Sequence, residues 1–238
     1  MSDGDSLKIN LRTFPDREAL ASALAEEVAE ALRNAIGDGG EATLAVSGGS
    51  TPKLFFHALS KAELDWESVT VTLVDERWVP DTEERSNARL VQEHLLWNEA
   101  ARARFVPLFI DANSPEGALP EVQQRVADLS GPLTVAVLGM GDDGHTASFF
   151  PGGDRLEDAI DPTGKALVLP MRAKAAIEPR ITLTLPVLLA AKKLVLHVEG
   201  EAKKRVLDEA LAGDDPLQMP IRAVIRNARE PLEVAWAP

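Results

Sequence analysis

The fold is most constrained by short apolar runs, each ending in a loop rich in glycine or charge. Three such runs with their loops are 42–46 before Ser47–Pro52, 69–74 before Asp75–Arg77, and 135–138 before Gly139–Gly144. Unbroken apolar, β-branched runs of this length are typical of buried parallel strands. Amphipathic helical patterns lie between them. This alternation predicts an α/β, Rossmann-like doubly wound fold with a mostly parallel sheet and helices on both faces.

Periodicity and breaker residues give the individual elements. The predicted strands are 7–14 (at a sheet edge), 42–46, 69–74, 105–109, 135–138, 166–169, 181–185, 194–198, 221–225 and 232–236. The predicted helices are 16–36, 53–60, 88–97, 120–129 and 201–211, with further helix starts at Thr146 and Pro186. Because no repeat, low-complexity tract or linker interrupts the pattern, we expect residues 1–238 to form a single domain.

Net charge and amino-acid composition limit the kinds of partner and site that this chain can have. The formal net charge of −13 should repel nucleic acid and anionic membranes, so we expect neither as a partner. The lack of cysteine excludes disulfides, a thiolate zinc site and a thiol nucleophile. The polar start of the chain lacks a signal-peptide core, and no apolar stretch is long enough to span a membrane. We therefore expect a cytoplasmic protein, and the sequence leaves open whether it is a monomer or a small homo-oligomer.

The segment Ser47–Pro52, SGGSTP, has the features of a phosphate site. Its glycines let a ligand approach the backbone closely. We expect Ser50 or Thr51 to cap the following helix and Pro52 to occupy its first position. Free N–H groups and the helix dipole would then favour an anion. An ordinary tight turn between a strand and a helix remains the alternative.

The loop Gly139–Gly144 also spells G-x-G-x-x-G, the dinucleotide-binding pattern. That pattern requires an acidic residue at the end of the next strand, whereas here the next predicted strand ends at Leu169. Asp142 and Asp143 would also face a pyrophosphate with like charge. We therefore expect no nucleotide cofactor.

Of the four histidines, His145 has the setting of a catalytic base. It follows Asp143 on the glycine loop, and a carboxylate two residues away can fix the tautomer of an imidazole and raise its basicity. We interpret it as the group that activates a water molecule; a loop histidine bonded to the backbone is the alternative. His57 and His94 are interpreted as structural, and His197 as a core or sheet-edge residue.

Charged residues follow the strand at 69–74. Carboxyl ends of parallel strands share one edge of a sheet, so Asp75, Glu76 and Arg77 should meet the other two loops there. An arginine at that edge could stabilise negative charge developing on an oxygen. A solvated charge run is the alternative. Arg180 and Lys203 add cations near later element ends, and Lys203 could reach a phosphate.

Taken in order, these segments resemble the 6-phosphogluconolactonase family. The matching segments are LAVSGGSTPKLFFHAL, VTLVDERWVPDTEERSNARLVQEHLL, LGMGDDGHTASFFPG and PRITLTLPVLLAAKKLVLHVEGEAKKRVL. Glucosamine-6-phosphate deaminases of the same superfamily are similar at SGGSTP and DGH. They typically carry an aromatic residue where Arg77 stands and Asn-Glu-Pro where Phe149–Pro151 stands. These differences favour the lactonase over the deaminase.

The resemblance implies hydrolysis of 6-phosphoglucono-δ-lactone in the oxidative pentose phosphate pathway, without a metal or organic cofactor. It implies His145 as general base, Asp143 as its orienting carboxylate and Arg77 as the oxyanion or hydroxyl partner, and leaves open the role of Asp75. The implied phosphate ligands are Ser47, Gly48, Gly49, Ser50, Thr51, Arg180 and Lys203. Sugar-phosphate-sensing domains of transcription regulators share this kind of fold, but the acidic chain has no helix-turn-helix pattern before residue 44.

Overall fold

The computed structural model describes residues 8–238, and strands alternate with helices along this part of the chain. The strands are Ile9–Thr13 (β1), Ala42–Val46 (β2), Val69–Leu73 (β3), Asp75–Arg77 (β4), Arg104–Val106 (β5), Val135–Leu138 (β6), Val168–Met171 (β7), Arg180–Leu183 (β8), Lys193–Glu199 (β9) and Leu232–Ala237 (β10). The α-helices are Arg17–Gly37 (α1), Lys53–Leu59 (α2), Asn87–His94 (α3), Pro115–Ala127 (α4), Leu156–Ala159 (α5), Leu185–Leu189 (α6), Glu201–Ala212 (α7) and Ile221–Asn227 (α8). Short 3-10 helices occupy Trp66–Ser68 and Asn98–Arg102.

Seven strands form a parallel sheet in the order β1-β10-β9-β6-β2-β3-β5. Read from β5, the first six strands follow the doubly wound order, in which the chain reverses direction across the sheet between β2 and β6. The predicted fold class is confirmed. The predicted first strand includes Leu7, which lies outside the described residues, and β1 does occupy an edge of the sheet.

Helix α1 shows how the sequence specifies a packed element. The Asp16 side chain accepts a hydrogen bond from the Ala19 N–H at 2.7 Å, which caps the helix start. Leu20, Leu24 and Val28 recur every four residues and are fully buried. Each buried side chain of this size contributes about 1.5–3 kcal/mol of stability. No helix within residues 8–238 combines the length and the apolar character needed to cross a bilayer.

A second, antiparallel sheet in the order β4-β8-β7 was not predicted. The predicted strand 69–74 ends at Leu73, and the chain turns away to form β4. Arg77 pairs with Arg180, and Asp75 pairs with Thr182. Residues directly opposite each other in an antiparallel pair lie on the same face, as do residues two apart. Asp75, Arg77 and Arg180 therefore share one face of this sheet.

Two predicted elements are wrong. Residues 221–225 form helix α8 rather than a strand. All five are buried, so the segment has no regular alternation of apolar and polar residues that could distinguish a helix from a strand. The helix predicted to start at Thr146 is a tight turn, in which the Phe149 N–H donates to the Thr146 carbonyl at 2.9 Å. Ala147 has a φ of +49° there, which is incompatible with a right-handed helix.

Several predicted boundaries also shift. Helix α4 starts at Pro115 rather than residue 120, because the Ser114 side chain accepts a hydrogen bond from the Gly117 N–H at 3.3 Å and caps it.

Helix α7 is held at its end by a side chain from α8. Arg222 is buried and donates to the carbonyls of Glu209 and Ala210 at the end of α7. These bonds satisfy carbonyls that a helix end leaves free and fix the position of α7.

Candidate active site

A cleft of about 330 Å³ lies at the carboxyl ends of the central parallel strands, beside the second sheet. Ten of the eleven predicted site residues line it, namely Ser47, Gly48, Gly49, Ser50, Thr51, Asp75, Arg77, His145, Arg180 and Lys203. The eleventh, Asp143, is bonded to His145. The loops after β2 and β6 are joined directly, because the Gly139 N–H donates to the Ser47 hydroxyl at 3.0 Å. The structure thus brings the predicted loops together at the point where the strand order reverses.

His145 and Asp143 form a close pair. His145 Nδ1 lies 2.5 Å from Asp143 Oδ1, and the His145 backbone N–H donates to the same oxygen at 3.1 Å. Burial alone would raise the pKa of Asp143, but the hydrogen bond and the charge of His145 outweigh it and hold that pKa below its usual value. A carboxylate only accepts, so Nδ1 carries the proton of this hydrogen bond, and in a neutral imidazole held this way the lone pair lies on Nε2.

The His145 ring is confined on two sides. The Phe150 ring packs against it with centroids 4.5 Å apart and a tilt of 41°. A Cβ at Gly141 would lie 2.1 Å from the His145 ring atoms Cε1 and Nδ1. Residue 141 must therefore be glycine for the ring to occupy this place, a steric role that the glycine spacing alone does not show.

Arg77 and Arg180 place two guanidinium groups beside the cleft. Burial lowers the pKa of Arg180, and the charge of Arg77 lowers it further, whereas the Asp75 carboxylate raises it. The Nε atoms of both arginines are buried and have no hydrogen-bond partner within residues 8–238. Arg77 Nη1 donates to the Arg85 carbonyl, and Arg180 lies over the Phe150 ring at 5.4 Å. Buried donors without partners, on two adjacent cations, suit an anionic or carbonyl oxygen.

The Asp75 carboxylate is buried next to these arginines. Its Oδ2 accepts a hydrogen bond from the Ser148 hydroxyl at 2.6 Å, and Ser148 is fully buried. Asp75 thereby supplies negative charge near Arg180 while Ser148 holds it in place.

The turn at Ser47–Thr51 differs from the prediction in two respects. Helix α2 begins at Lys53, so Pro52 precedes the helix and does not occupy its first position as predicted. No side chain within residues 8–238 caps this helix, so the predicted cap by Ser50 or Thr51 is also wrong. The backbone of the turn remains open to the cleft, with Gly49 at a φ of +93°. Lys203, in the first turn of α7, pairs with the exposed carboxylate of Asp142 at 2.7 Å.

Sequence reasoning gave no role to two buried residues beside the site, although it placed Glu76 among the charged residues at this edge of the sheet. Glu76 accepts hydrogen bonds from the N–H groups of Arg77, Asn87 and Ala88, each at 2.7 Å. Burial raises its pKa to about 7, although these three bonds act in the opposite direction. Asn87 lines the cleft and donates to the Asp75 carbonyl. The sequence signal for Glu76 is that side chains alternate between the two faces of a strand, so Glu76 points to the opposite face from Asp75 and Arg77.

His197 lies in the cleft wall as well as in the core. It is 3% exposed, its Nε2 lies 3.0 Å from Glu199 Oε1, and its ring meets Phe55 edge-on. The interpretation of His197 as a core residue therefore agrees with its burial.

The sheet order and the strand-end cleft define a doubly wound α/β protein with a ligand site at its topological switch point. A family model described as glucosamine-6-phosphate isomerases/6-phosphogluconolactonase matches residues 15–236, and the chain belongs to this family. The resemblance drawn from the sequence is thereby confirmed.

Individual relatives agree with this assignment. The chain is 55% identical to a 6-phosphogluconolactonase of Rhizobium meliloti over 232 residues, which cover 98% of this chain and 100% of the relative. It is 45% identical to one of Pseudomonas aeruginosa, covering 97% and 95%. A crystal structure of a 6-phosphogluconolactonase from Shewanella baltica superposes with a TM-score of 0.95 at 39% identity, covering 98% and 100%. A monomeric glucosamine-6-phosphate deaminase shares the fold, with a TM-score of 0.75 at 15% identity and coverage of 96% and 97%.

Proposed function

We propose that this chain hydrolyses 6-phospho-D-glucono-1,5-lactone to 6-phospho-D-gluconate, the second step of the oxidative pentose phosphate pathway. The observation that carries the proposal is the His145–Asp143 pair at a cleft that also holds Arg77 and Arg180. The high identity to named 6-phosphogluconolactonases over nearly the whole chain supports the same substrate.

In the proposed reaction, His145 Nε2 takes a proton from a water molecule as the water oxygen bonds to C1 of the lactone. The carbonyl electrons move to its oxygen, and Arg77 stabilises the resulting oxyanion. When the tetrahedral intermediate collapses, the C1–O5 bond breaks, and the imidazolium returns its proton to O5. The new carboxyl group ionises in water. The reaction as proposed needs no metal and no organic cofactor.

The required acceleration is within reach of these groups. A lactone is an activated ester that hydrolyses on its own, so the enzyme supplies only part of the rate. One positioned base contributes about 10²–10⁴-fold. One oxyanion donor contributes about 10²–10³-fold. Asp143 would keep the imidazole in the required tautomer, and no covalent nucleophile is needed.

The remaining residues would bind the anionic tail. We assign the phosphate to the backbone of the Ser47–Thr51 turn, together with Lys203 and Arg180. Because Arg77 and Arg180 oppose each other across β4 and β8, the substrate would span the face that they share. Asp75 would keep the buried Arg180 charged and would not take part in proton transfer. Phosphate binding far from C1 would orient the ring carbonyl toward the water.

The test is a lactonase assay that measures 6-phosphogluconate formation in excess of the spontaneous rate. The wild-type chain should show saturable turnover, and His145→Ala should lose most of kcat with little change in KM. His57→Ala, which removes a histidine from α2 away from the cleft lining, is the matched control and should behave as wild type. Release of ammonia from glucosamine 6-phosphate at a comparable rate, or unchanged turnover by His145→Ala, would contradict the proposal.

A further inference from the structure

Asn87 lines the cleft but has no part in the reaction as proposed above. It begins helix α3 and is 1% exposed. Its Nδ2 donates to the Asp75 backbone carbonyl at 2.9 Å. A carbonyl can only accept, so this bond fixes which way the carboxamide points and turns Oδ1 away from Asp75.

The other end of the carboxamide is unsatisfied. Asn87 Oδ1 is buried and accepts no hydrogen bond from any residue between 8 and 238. A buried acceptor without a donor costs free energy, and such an atom in a native structure calls for an explanation. A ligand that donates a hydrogen bond in the cleft would remove that cost on binding.

Two neighbours hold Asn87 in this position. Its backbone N–H donates to Oε1 of the fully buried Glu76, and the Ala88 N–H donates to Oε2. On the opposite side, a Cβ at Gly48 would lie 1.8 Å from Asn87 Oδ1. Only glycine at residue 48 leaves room for this oxygen, so the carboxamide is held between the second sheet and the Ser47–Thr51 turn.

The chemistry of the cleft indicates what donates to Oδ1. Arg77, Arg180 and Lys203 only donate hydrogen bonds and therefore suit the anionic and carbonyl oxygens of a ligand. A phosphate dianion has no proton to offer an amide oxygen. A sugar hydroxyl has one, and Asn87 Oδ1 is an acceptor beside this cleft that no described residue already satisfies.

We infer that Asn87 Oδ1 accepts a hydrogen bond from one ring hydroxyl of the substrate, which makes the chain selective for fully hydroxylated aldonolactone phosphates over their deoxy analogues. This inference depends on the proposed function. A site built around a hydrogen-bonded hydroxyl rejects an analogue that lacks it, because its own polar group is then left without a partner.

The test compares kcat/KM for 6-phosphogluconolactone and its 2-deoxy, 3-deoxy and 4-deoxy analogues, in the wild type and in Asn87→Leu. The wild type should lose about 10- to 100-fold on one analogue, as expected for one hydrogen bond. Asn87→Leu should lose a similar factor on the parent lactone and should no longer distinguish it from that analogue. Asn227→Leu, which removes a similar bond from a side-chain amide to a backbone carbonyl (Ala223) outside the cleft lining, should keep the wild-type preference.

A purely structural role for Asn87 would lower kcat/KM equally for all four lactones, and that result would overturn the inference. Equal treatment of all four by the wild type would overturn it as well, whether or not Asn87→Leu folds. Hydrolysis of the parent lactone together with either result leaves the proposed function standing. Absence of hydrolysis by the wild type would contradict both the proposed function and the inference about Asn87.

Discussion

Arg77 and Arg180 stand directly opposite each other on adjacent antiparallel strands, with one carboxylate, Asp75, on the same face. Both guanidinium groups have a buried Nε without a hydrogen-bond partner in the described part of the chain. Two like charges this close repel each other, and taking each out of water costs free energy. We interpret this arrangement as one that binding of a negatively charged ligand relieves.

Substitution of Arg180 should therefore affect ligand binding more than folding. We expect Arg180→Gln to raise the Kd of 6-phosphogluconate, measured by calorimetry, by about 100-fold, as for loss of a hydrogen bond from a charged group. The melting temperature of the ligand-free protein should change little, because the cost of burying the Arg180 cation is removed while Arg77 remains on the same face as the Asp75 carboxylate. Arg102→Gln, an exposed arginine paired with Glu99, is the control for charge and should leave binding unchanged. A large fall in melting temperature with Arg180→Gln would show that the residue is mainly structural.

Substitution of Gly141 tests the placement of the imidazole. The methyl group of Gly141→Ala would overlap the His145 ring, so the ring must leave its position beside Asp143. We expect kcat for the lactone to fall by about 10²–10⁴-fold, the usual contribution of a positioned base, with a smaller change in KM. In Gly37→Ala, the added Cβ has no neighbour within 4 Å among the described residues, and kcat should stay at the wild-type value. Normal kcat in Gly141→Ala would argue against His145 as the base.

Lys203 and Lys204 provide a matched pair on one helix. Lys203 lines the cleft and pairs with Asp142, whereas Lys204 pairs with Asp208 along α7. If Lys203 binds the phosphate, Lys203→Met should raise KM about 10- to 100-fold with little effect on kcat. Lys204→Met has the same change in charge and should leave both constants unaltered. Steady-state kinetics of the two variants measured side by side test this assignment. Equal effects on KM would count against Lys203 as a phosphate ligand.

The buried Glu76 should leave a signature in stability against pH. Burial raises its pKa from 4.5 to about 7, so the folded protein binds more protons than the unfolded chain between these values. The free energy of unfolding contributed by this group should be fully present below pH 4.5 and should decline as pH rises through about 7, by at most about 3 kcal/mol. Denaturant titrations of wild type and Glu76→Gln across this window measure it. A stability difference independent of pH would contradict the raised pKa.

The sequence predicted the parallel sheet well because its central strands are continuous apolar runs with clear breakers. Strands β2, β6 and β10 match their predicted ranges closely, and β2 and β6 end at the loops interpreted as functional. The second sheet could not be predicted, because β4 is only three residues long and β8 pairs with it across about a hundred residues of chain. Such long-range pairing is set by tertiary contacts and leaves little local pattern.

The candidate site shows the same division. Residues on glycine-rich or charged loops, such as His145 and Arg77, could be found from their position after a strand. Asn87 could not be found in this way, because it stands out only by an acceptor without a donor in the folded chain. The position of Glu76 was predicted, but its complete burial was not. The glycines at 48 and 141 were visible in the sequence, but the atoms that each accommodates were not.

The hydrogen bond from Ser148 to Asp75 joins the loop that carries the imidazole to β4, the strand that carries Arg77 and pairs with the strand of Arg180. His145 lies on a loop of the parallel sheet, whereas Arg77 and Arg180 lie on the antiparallel sheet. A shift of one sheet relative to the other would therefore change the distance between the imidazole and the two guanidinium groups. The buried Ser148 hydroxyl and the Phe150 ring, which packs on both His145 and Arg180, are thus two contacts that align the base with the cations. Loss of the hydroxyl would leave every reacting group present but would weaken that alignment.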